Sequence, residues 1–208
     1  MPSPLEKARQ DPDSMKAKIL GSARRLFAEY SYSGTTTRMI ARDVGIDIST
    51  LYYHWGEKND LYEAVITDIN EEIREKLMEI GEIIQSKALP DRLETAIDMV
   101  GDYLFAHPEV SNLILHRYFG KNRQEMAVDI EIPKYIKDIA ISLDLSLDKK
   151  TVSVQAKSKV IAVWNSMLNF ISGENFLRPI LDINHKDYVR IVKETMKFVF
   201  IPAFTQKK

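Results

Sequence analysis

The sequence predicts an all-α fold: a small N-terminal three-helix unit joined by a long helix to a larger C-terminal helical domain. Three observations lead there. Apolar residues recur at helical spacing almost throughout, and no convincing run of strict alternation marks a strand. Several of the eight glycines and eight prolines stand where one periodic stretch stops or the next begins. Residues suited to capping precede the short N-terminal stretches.

Taken in order, residues 1–13 are polar and proline-punctuated and read as a disordered lead. A first helix starts near Ser14 and runs to about Tyr30, with Ile19, Ala23, Leu26, Phe27 and Tyr30 along one stripe. Ser31–Gly34 breaks it. Thr35-Thr36-Thr37 supplies the cap of a short second helix ending at Val44, with Gly45 as its C′ residue. Asp47 caps a third, Ile48 to about His54, anchored by Leu51, Tyr52 and Trp55. Gly56 ends it, and a long helix follows from about Glu57 to Glu79 or beyond.

The larger domain, 57–208, continues in the same way. Pro90 opens a helix that runs to Ala106 and stops before His107-Pro108. A shorter one spans Pro108–Tyr118, and a polar loop follows at Gly120–Gln124. Ile132–Leu143, Thr151–Ile171 and Asn184–Phe200 complete the set, the last two being the most apolar.

Composition narrows the chemistry. The absence of cysteine from 208 residues excludes disulfides, thiol catalysis, iron–sulfur clusters and cysteine-based zinc sites. The four histidines, His54, His107, His116 and His185, are scattered without metal-ligand spacing, and no phosphate-binding glycine loop is present. No cofactor and no catalytic residue is therefore assigned, and an all-α enzyme or a dimeric helical adaptor is the weaker reading. The N-terminus has no apolar core of a secretory signal, and no stretch approaches membrane-spanning length, so a cytoplasmic protein is expected. With 29 basic against 30 acidic residues the net charge is −1, which excludes a polycationic nucleic-acid coat. Residues 1–60 carry nine basic and eight acidic groups, and the remaining 148 carry 20 and 22. Any contact with DNA must come from a small, placed patch.

Such a patch has a candidate. Two short helices joined by the tight turn Val44-Gly45-Ile46-Asp47 make a helix-turn-helix, whose second helix can enter a major groove. With Leu51 and Trp55 turned inward, Ser49, Thr50, Tyr53 and His54 point out, offering hydroxyl and imidazole groups to phosphates and base edges. Ile48 is suited to a thymine methyl, and Lys58 adds a cation at the start of the next helix.

The stretch 19–65, ILGSARRLFAEYSYSGTTTRMIARDVGIDISTLYYHWGEKNDLYEAV, closely resembles the DNA-binding segment of the TetR family of bacterial transcriptional regulators. The matching elements include Ile19, Ala23, Leu26-Phe27-Ala28, Thr35-Thr36, Arg38, Val44-Gly45-Ile46, Thr50-Leu51-Tyr52-Tyr53-His54 and Lys58. The resemblance implies a homodimer on a palindromic double-stranded operator, released when a small-molecule effector binds the C-terminal domain. It implies that Thr35 and Thr36 cap the second helix and, with Arg38, contact phosphates. Ser49, Thr50, Tyr53 and His54 would face the groove, the Tyr52 hydroxyl would reach a phosphate, and Lys58 would contact the backbone. Three positions depart from the family pattern: Ser31 stands where glycine is usual, Ile48-Ser49 replaces Lys-Gly, and Glu57 replaces a small capping residue.

By the same resemblance, helices Thr151–Ile171 and Asn184–Phe200 pair with those of a second subunit. An effector cavity would lie among the middle helices. Its candidate lining is Met99, Tyr103, His107, Tyr118, Phe119 and Met126, together with Trp164, Asn165, Met167 and Asn169 of the apolar Val160–Phe170 stretch. The shortage of charge on that stretch favours an apolar, aromatic or amphiphilic compound.

Overall fold

The computed structural model describes residues 2–120, 126–145 and 151–205, and within them the chain is helical without strands. The elements are α1 (Pro4–Gln10), α2 (Met15–Gly34), α3 (Thr37–Val44), α4 (Ile48–Trp55), α5 (Lys58–Ile84), α6 (Leu89–Ala106), α7 (Pro108–Phe119), α8 (Ala127–Ser142), α9 (Val154–Ser172), α10 (Glu174–Leu181) and α11 (His185–Thr205). They divide into two compact units, Met1–Glu72 with Asn112–Met126 and Ile73–Ser111 with Ala127–Lys208. The boundaries fall inside α5 and α7 rather than at residue 56, because α5 supplies core side chains to the first unit as far as Ile69.

In the first unit, the expected disordered lead is instead α1. Ser3 and Glu6 form a reciprocal capping box around Pro4, the Glu6 N–H donating to Ser3 Oγ at 3.1 Å. Ala8 is buried, and Arg9 Nε donates to Asp68 Oδ1 of α5 at 2.8 Å. Arg24 of α2 reaches the same region, donating to both Glu72 oxygens at 2.6 and 2.9 Å. Burial pushes the Asp68 carboxyl up, and Arg9 opposes that rise. Ile19, Ala23 and Phe27 of α2 close over Ile40 of α3, Leu51 of α4 and Leu61, Val65 and Ile69 of α5, all fully buried.

The turn after α2 is where serine replaces glycine. Ser31 has φ 62° and ψ 174°, a region that only glycine occupies without strain. Ser31→Gly is therefore expected to stabilise the protein by roughly 1 kcal/mol. Thermal unfolding checks this: a melting temperature a few degrees higher is expected, and an unchanged or lower one would contradict the assignment of strain.

In the second unit, α6 pairs with α11, and α9 packs against α8 and α11. Lys193 and Lys197 of α11 bridge to Asp98 and Asp102, and to Glu94 and Asp98, of α6 at 2.7–3.3 Å. Ala140, Val152, Ala156 and Val160 form one buried cluster, and Leu93, Leu143 and Phe204 another. Tyr188 is fully buried, and its hydroxyl donates to the Phe170 carbonyl at 2.7 Å. Burial first, and the charge of Glu174 second, push that phenol up to about 12.

Several bounds differ from those the sequence predicts. α8 begins at Ala127 rather than Ile132, accommodating Pro133, and α11 runs to Thr205 through Pro202. α9 starts at Val154, where Ser153 Oγ accepts the Ala156 N–H at 3.1 Å. α10 has no counterpart in the sequence reading: its cap, Gly173, lacks a side chain and Pro179 lies inside it, so local signals are weak. The expected polar loop falls outside the described residues beyond Gly120. No helix among the described residues is long and apolar enough to cross a membrane.

Candidate nucleic-acid interface

The interface is built from local chemistry. α3 ends because Gly45 adopts the left-handed conformation, φ 79° and ψ 33°, with the Ile46 N–H closing back onto the Ala41 carbonyl at 2.9 Å. Two residues later Asp47 starts α4: its Oδ1 accepts the Thr50 N–H at 2.7 Å and the Ser49 hydroxyl at 2.6 Å. Those bonds, from Ser49 first and Thr50 second, hold its carboxyl below the usual range. Leu51 and Trp55, one turn apart, are fully and almost fully buried, and Trp55 Nε1 donates to the Lys16 carbonyl of α2 at 3.1 Å. Gly56, at φ 75° and ψ −139°, ends the helix. A rigid back thus carries an open face.

That face is Ser49, Tyr52 and Tyr53, with Ile48, Thr50 and His54 half-buried at its edge. Tyr53 is 85% exposed and Tyr52 41%, so Tyr52 is not the inward anchor its spacing suggested. Its flank is α3, where Thr36 Oγ1 caps the helix by accepting the Met39 N–H at 3.2 Å, and Arg38 stands exposed.

Two expected phosphate contacts are otherwise engaged. Thr35 is fully buried; its hydroxyl points into α2, within 3.0 Å of the Leu26 carbonyl and 2.8 Å of the Ser31 carbonyl. The cap of α3 is Thr36 alone, because the turn at Ser31 rotates Thr35 inward to close α2. Lys58 Nζ donates to the Tyr32 and Thr35 carbonyls, both at 3.0 Å, and lies 4.0 Å from the Tyr32 ring centroid. Burial holds its amine below the usual lysine range. It thereby caps the end of α2. Thr35→Val is accordingly expected to cost about 1–2 kcal/mol of stability with no loss of DNA affinity per folded molecule. Urea unfolding and binding on one preparation check this, and an affinity loss in folded protein would restore Thr35 to the interface.

Cations counted in the sequence are also spent internally: Arg25 pairs with Asp43 at 2.5 Å, and Arg9 and Arg24 with α5 carboxylates. Lys16 was missed as more than a charge. It falls on the stripe of Ile19, Ala23 and Phe27, and that spacing points it toward α4. Its Nζ lies 3.1 Å from His54 Nδ1 and 3.1 Å from the His54 carbonyl.

The candidate effector lining is divided between the two units. Met99, Tyr103, Trp164 and Asn165 are half-buried, Met126 and Met167 are buried, and His107, Tyr118, Phe119 and Asn169 lie on the surface. Tyr118, Phe119 and Met126 belong to the first unit and the others to the second. Tyr103 and His107 meet with ring centroids 5.0 Å apart, and Asn165 Oδ1 is buried without a hydrogen-bond partner. Among the described residues, no group of three or more histidines and carboxylates could hold a metal ion.

Comparison with known proteins bears on the same segment. Residues 19–65 match the family described as bacterial regulatory proteins, tetR family. The chain is 29% identical over 107 residues to the HTH-type transcriptional repressor SCO4008 of Streptomyces coelicolor, covering 51% of each chain. It is 47% identical over 52 residues to the icaADBC biofilm-operon negative transcriptional regulator IcaR of Staphylococcus aureus, covering 25% of this chain and 28% of that one. The matched region thus spans about half the length of the first relative and little more than a quarter of the second. Both relatives are transcriptional regulators by name. The fold as a whole is similar to that of the ketosteroid transcriptional regulator KstR2 of Mycobacterium tuberculosis, with TM-score 0.67 and 15% identity, covering 94% and 97% of the two chains. It is also similar to the regulator FadR of Bacillus subtilis, solved in complex with stearoyl-CoA, with TM-score 0.58 and 14% identity, covering 88% and 96%. Residues 19–65 thus carry a segment matching the tetR family of bacterial regulatory proteins, within a fold shared with solved transcriptional regulators over about nine-tenths of the chain.

Proposed function

We infer that this protein is a ligand-responsive transcriptional repressor that grips double-stranded operator DNA through α4 and the α3 cap. The observation that carries the reading is the division of α4: Leu51 and Trp55 lock its back, while Tyr53 stands 85% exposed beside Ser49 and Tyr52. A large aromatic side chain gains nothing by exposure in a free protein, and a hydroxyl-tipped ring beside a helix cap suits phosphates and base edges. The DNA-contacting set is Thr36, Arg38, Ile48, Ser49, Thr50, Tyr52, Tyr53 and His54, within a DNA-binding region that opens with α1. With so few cations, the dependence of affinity on salt is modest.

The working unit is a homodimer on a palindromic site. Exposed Val154 and Ile161 on α9, with Phe198 and Val199 on α11, support a subunit interface on these helices, and a two-fold axis then sets two copies of α4 about 34–36 Å or somewhat more apart. The effector enters the helical second unit, which carries Tyr103, Trp164 and Asn165, and the low charge of α9 suits an apolar or amphiphilic molecule. Acyl-CoA thioesters, the class bound by the Bacillus subtilis neighbour, are the first to try. The protein acts in the cytoplasm and catalyses nothing. Gel-shift titration against DNA upstream of its own gene tests the reading, followed by addition of effector candidates. A specific complex dissolved by one of them supports it; DNA binding that is everywhere nonspecific would sink it.

A further inference from the structure

His54, at the end of α4, is gripped twice by one side chain. The Lys16 ammonium lies 3.1 Å from its ring nitrogen Nδ1 and donates to its main-chain carbonyl, also at 3.1 Å. An ammonium has three protons to give and no lone pair to receive one. Nδ1 must therefore be the acceptor, and the proton of the neutral ring must sit on Nε2. The second bond fixes the backbone beneath the ring, and the Tyr53 ring meets the imidazole edge-on with centroids 5.2 Å apart. Resting on the reading of α4 as the DNA-contacting helix, we propose that Lys16 is a positioning residue: it locks His54 as an Nε2–H donor. The end of α4 then recognises a hydrogen-bond acceptor on the duplex, either a phosphate oxygen or a purine N7 or O6.

The surroundings agree with a neutral donor. Burial and then the Lys16 charge hold the imidazole below its usual range. The charged group facing the ring is Lys16 of α2, with Lys7 adding its field at Lys16, and no carboxylate is hydrogen-bonded to the ring among the described residues. Protonation at Nδ1 would replace the Lys16 hydrogen bond with the repulsion of two facing cations, so the neutral ring is the form this contact holds.

The test uses the full chain, Lys16→Met, Lys16→Arg, His54→Ala, and the double variant Lys16→Met/His54→Ala, with a duplex selected from random DNA. In DNA-free protein, imidazole NMR titration of wild type should give a midpoint below about 6.5 and a single Nε2–H form. Lys16→Met should move the midpoint back toward that value, and Lys16→Arg should stay near wild type. At pH 8, Lys16→Met and His54→Ala should each weaken binding about tenfold, and the double variant no more than His54→Ala alone. Single methylphosphonate linkages and 7-deazapurines then tell the two acceptors apart, and a loss on either one supports the proposal. Additive losses, an unmoved His54 midpoint in Lys16→Met, or indifference to both substitutions would overturn it while leaving DNA binding by α4 intact. Failure of the wild type to select any duplex would instead remove the underlying reading, and this inference with it.

Discussion

Tyr53→Ala is expected to weaken specific DNA binding by about ten- to hundredfold per protomer, the 1–3 kcal/mol typical of one good contact, while leaving the melting temperature unchanged. The two halves of that expectation come from one number. At 85% exposure the ring contributes almost nothing to the folded state, so its removal costs the fold nothing. Its hydroxyl and its face lie on the open side of a helix whose start is pinned by Asp47 and whose end is pinned by Trp55 and Lys16. A contact made from a rigid support loses its full worth when truncated, because no neighbour can move in to replace it. Fluorescence anisotropy and thermal unfolding on the same samples check both halves. Unchanged affinity would move the reading surface away from α4.

Trp55→Ala should have the opposite profile: about 3–5 kcal/mol of stability lost, and DNA binding lost because the first unit no longer holds its shape. Trp55 is almost fully buried one turn beyond Leu51, and its Nε1 donates to the main-chain carbonyl of Lys16. The substitution removes the largest anchor between α4 and α2 and leaves that carbonyl without its partner. Equilibrium unfolding in urea reads the loss through a lower midpoint. A loss under about 1 kcal/mol would mean that the site collapses around alanine and that Leu51 alone orients the helix.

The contrast between these residues was legible in the sequence because every signal that sets α3 and α4 is local. Thr36, Gly45, Asp47 and Gly56 are caps whose chemistry depends on neighbours within four positions. The same logic placed Leu51 and Trp55 inward and left Tyr53 outside. What the sequence did not disclose depends on contacts far along the chain. α1 carries its own capping box, yet seven residues do not hold a helix in water; Asp68, 59 positions from Arg9, does. Thr35 and Thr36 are chemically interchangeable as caps, and which of them turns inward is decided by the strained Ser31 turn. Lys58 resembles a phosphate contact until the end of α2 arrives beneath it.

The second unit was less legible for a different reason. Helical periodicity finds the elements there, but it does not say what covers a half-apolar stripe. His107 and Asn169 lie on such stripes and end on the surface, while Met167 ends in the core. α10 escaped detection because a proline-containing eight-residue segment has little intrinsic tendency to be helical, and it leaves Phe176 and Ile180 exposed.

The near balance of charge gains a sharper meaning from the structure. Arg9, Arg24, Arg25, Lys16 and Lys58 are all committed to partners within the first unit. Under the proposed reading, recognition rests on shape, hydroxyls, one imidazole and few cations, which favours specificity over nonspecific hold.

The most direct measurement is selection of duplexes from a random pool by the full-length chain, followed by competition binding in physiological salt. The account predicts convergence on a two-fold symmetric sequence bound at about 10 nM or tighter, and on the order of a thousandfold better than unrelated DNA. A pool that fails to converge, or a complex that unrelated duplex displaces equally well, would contradict it.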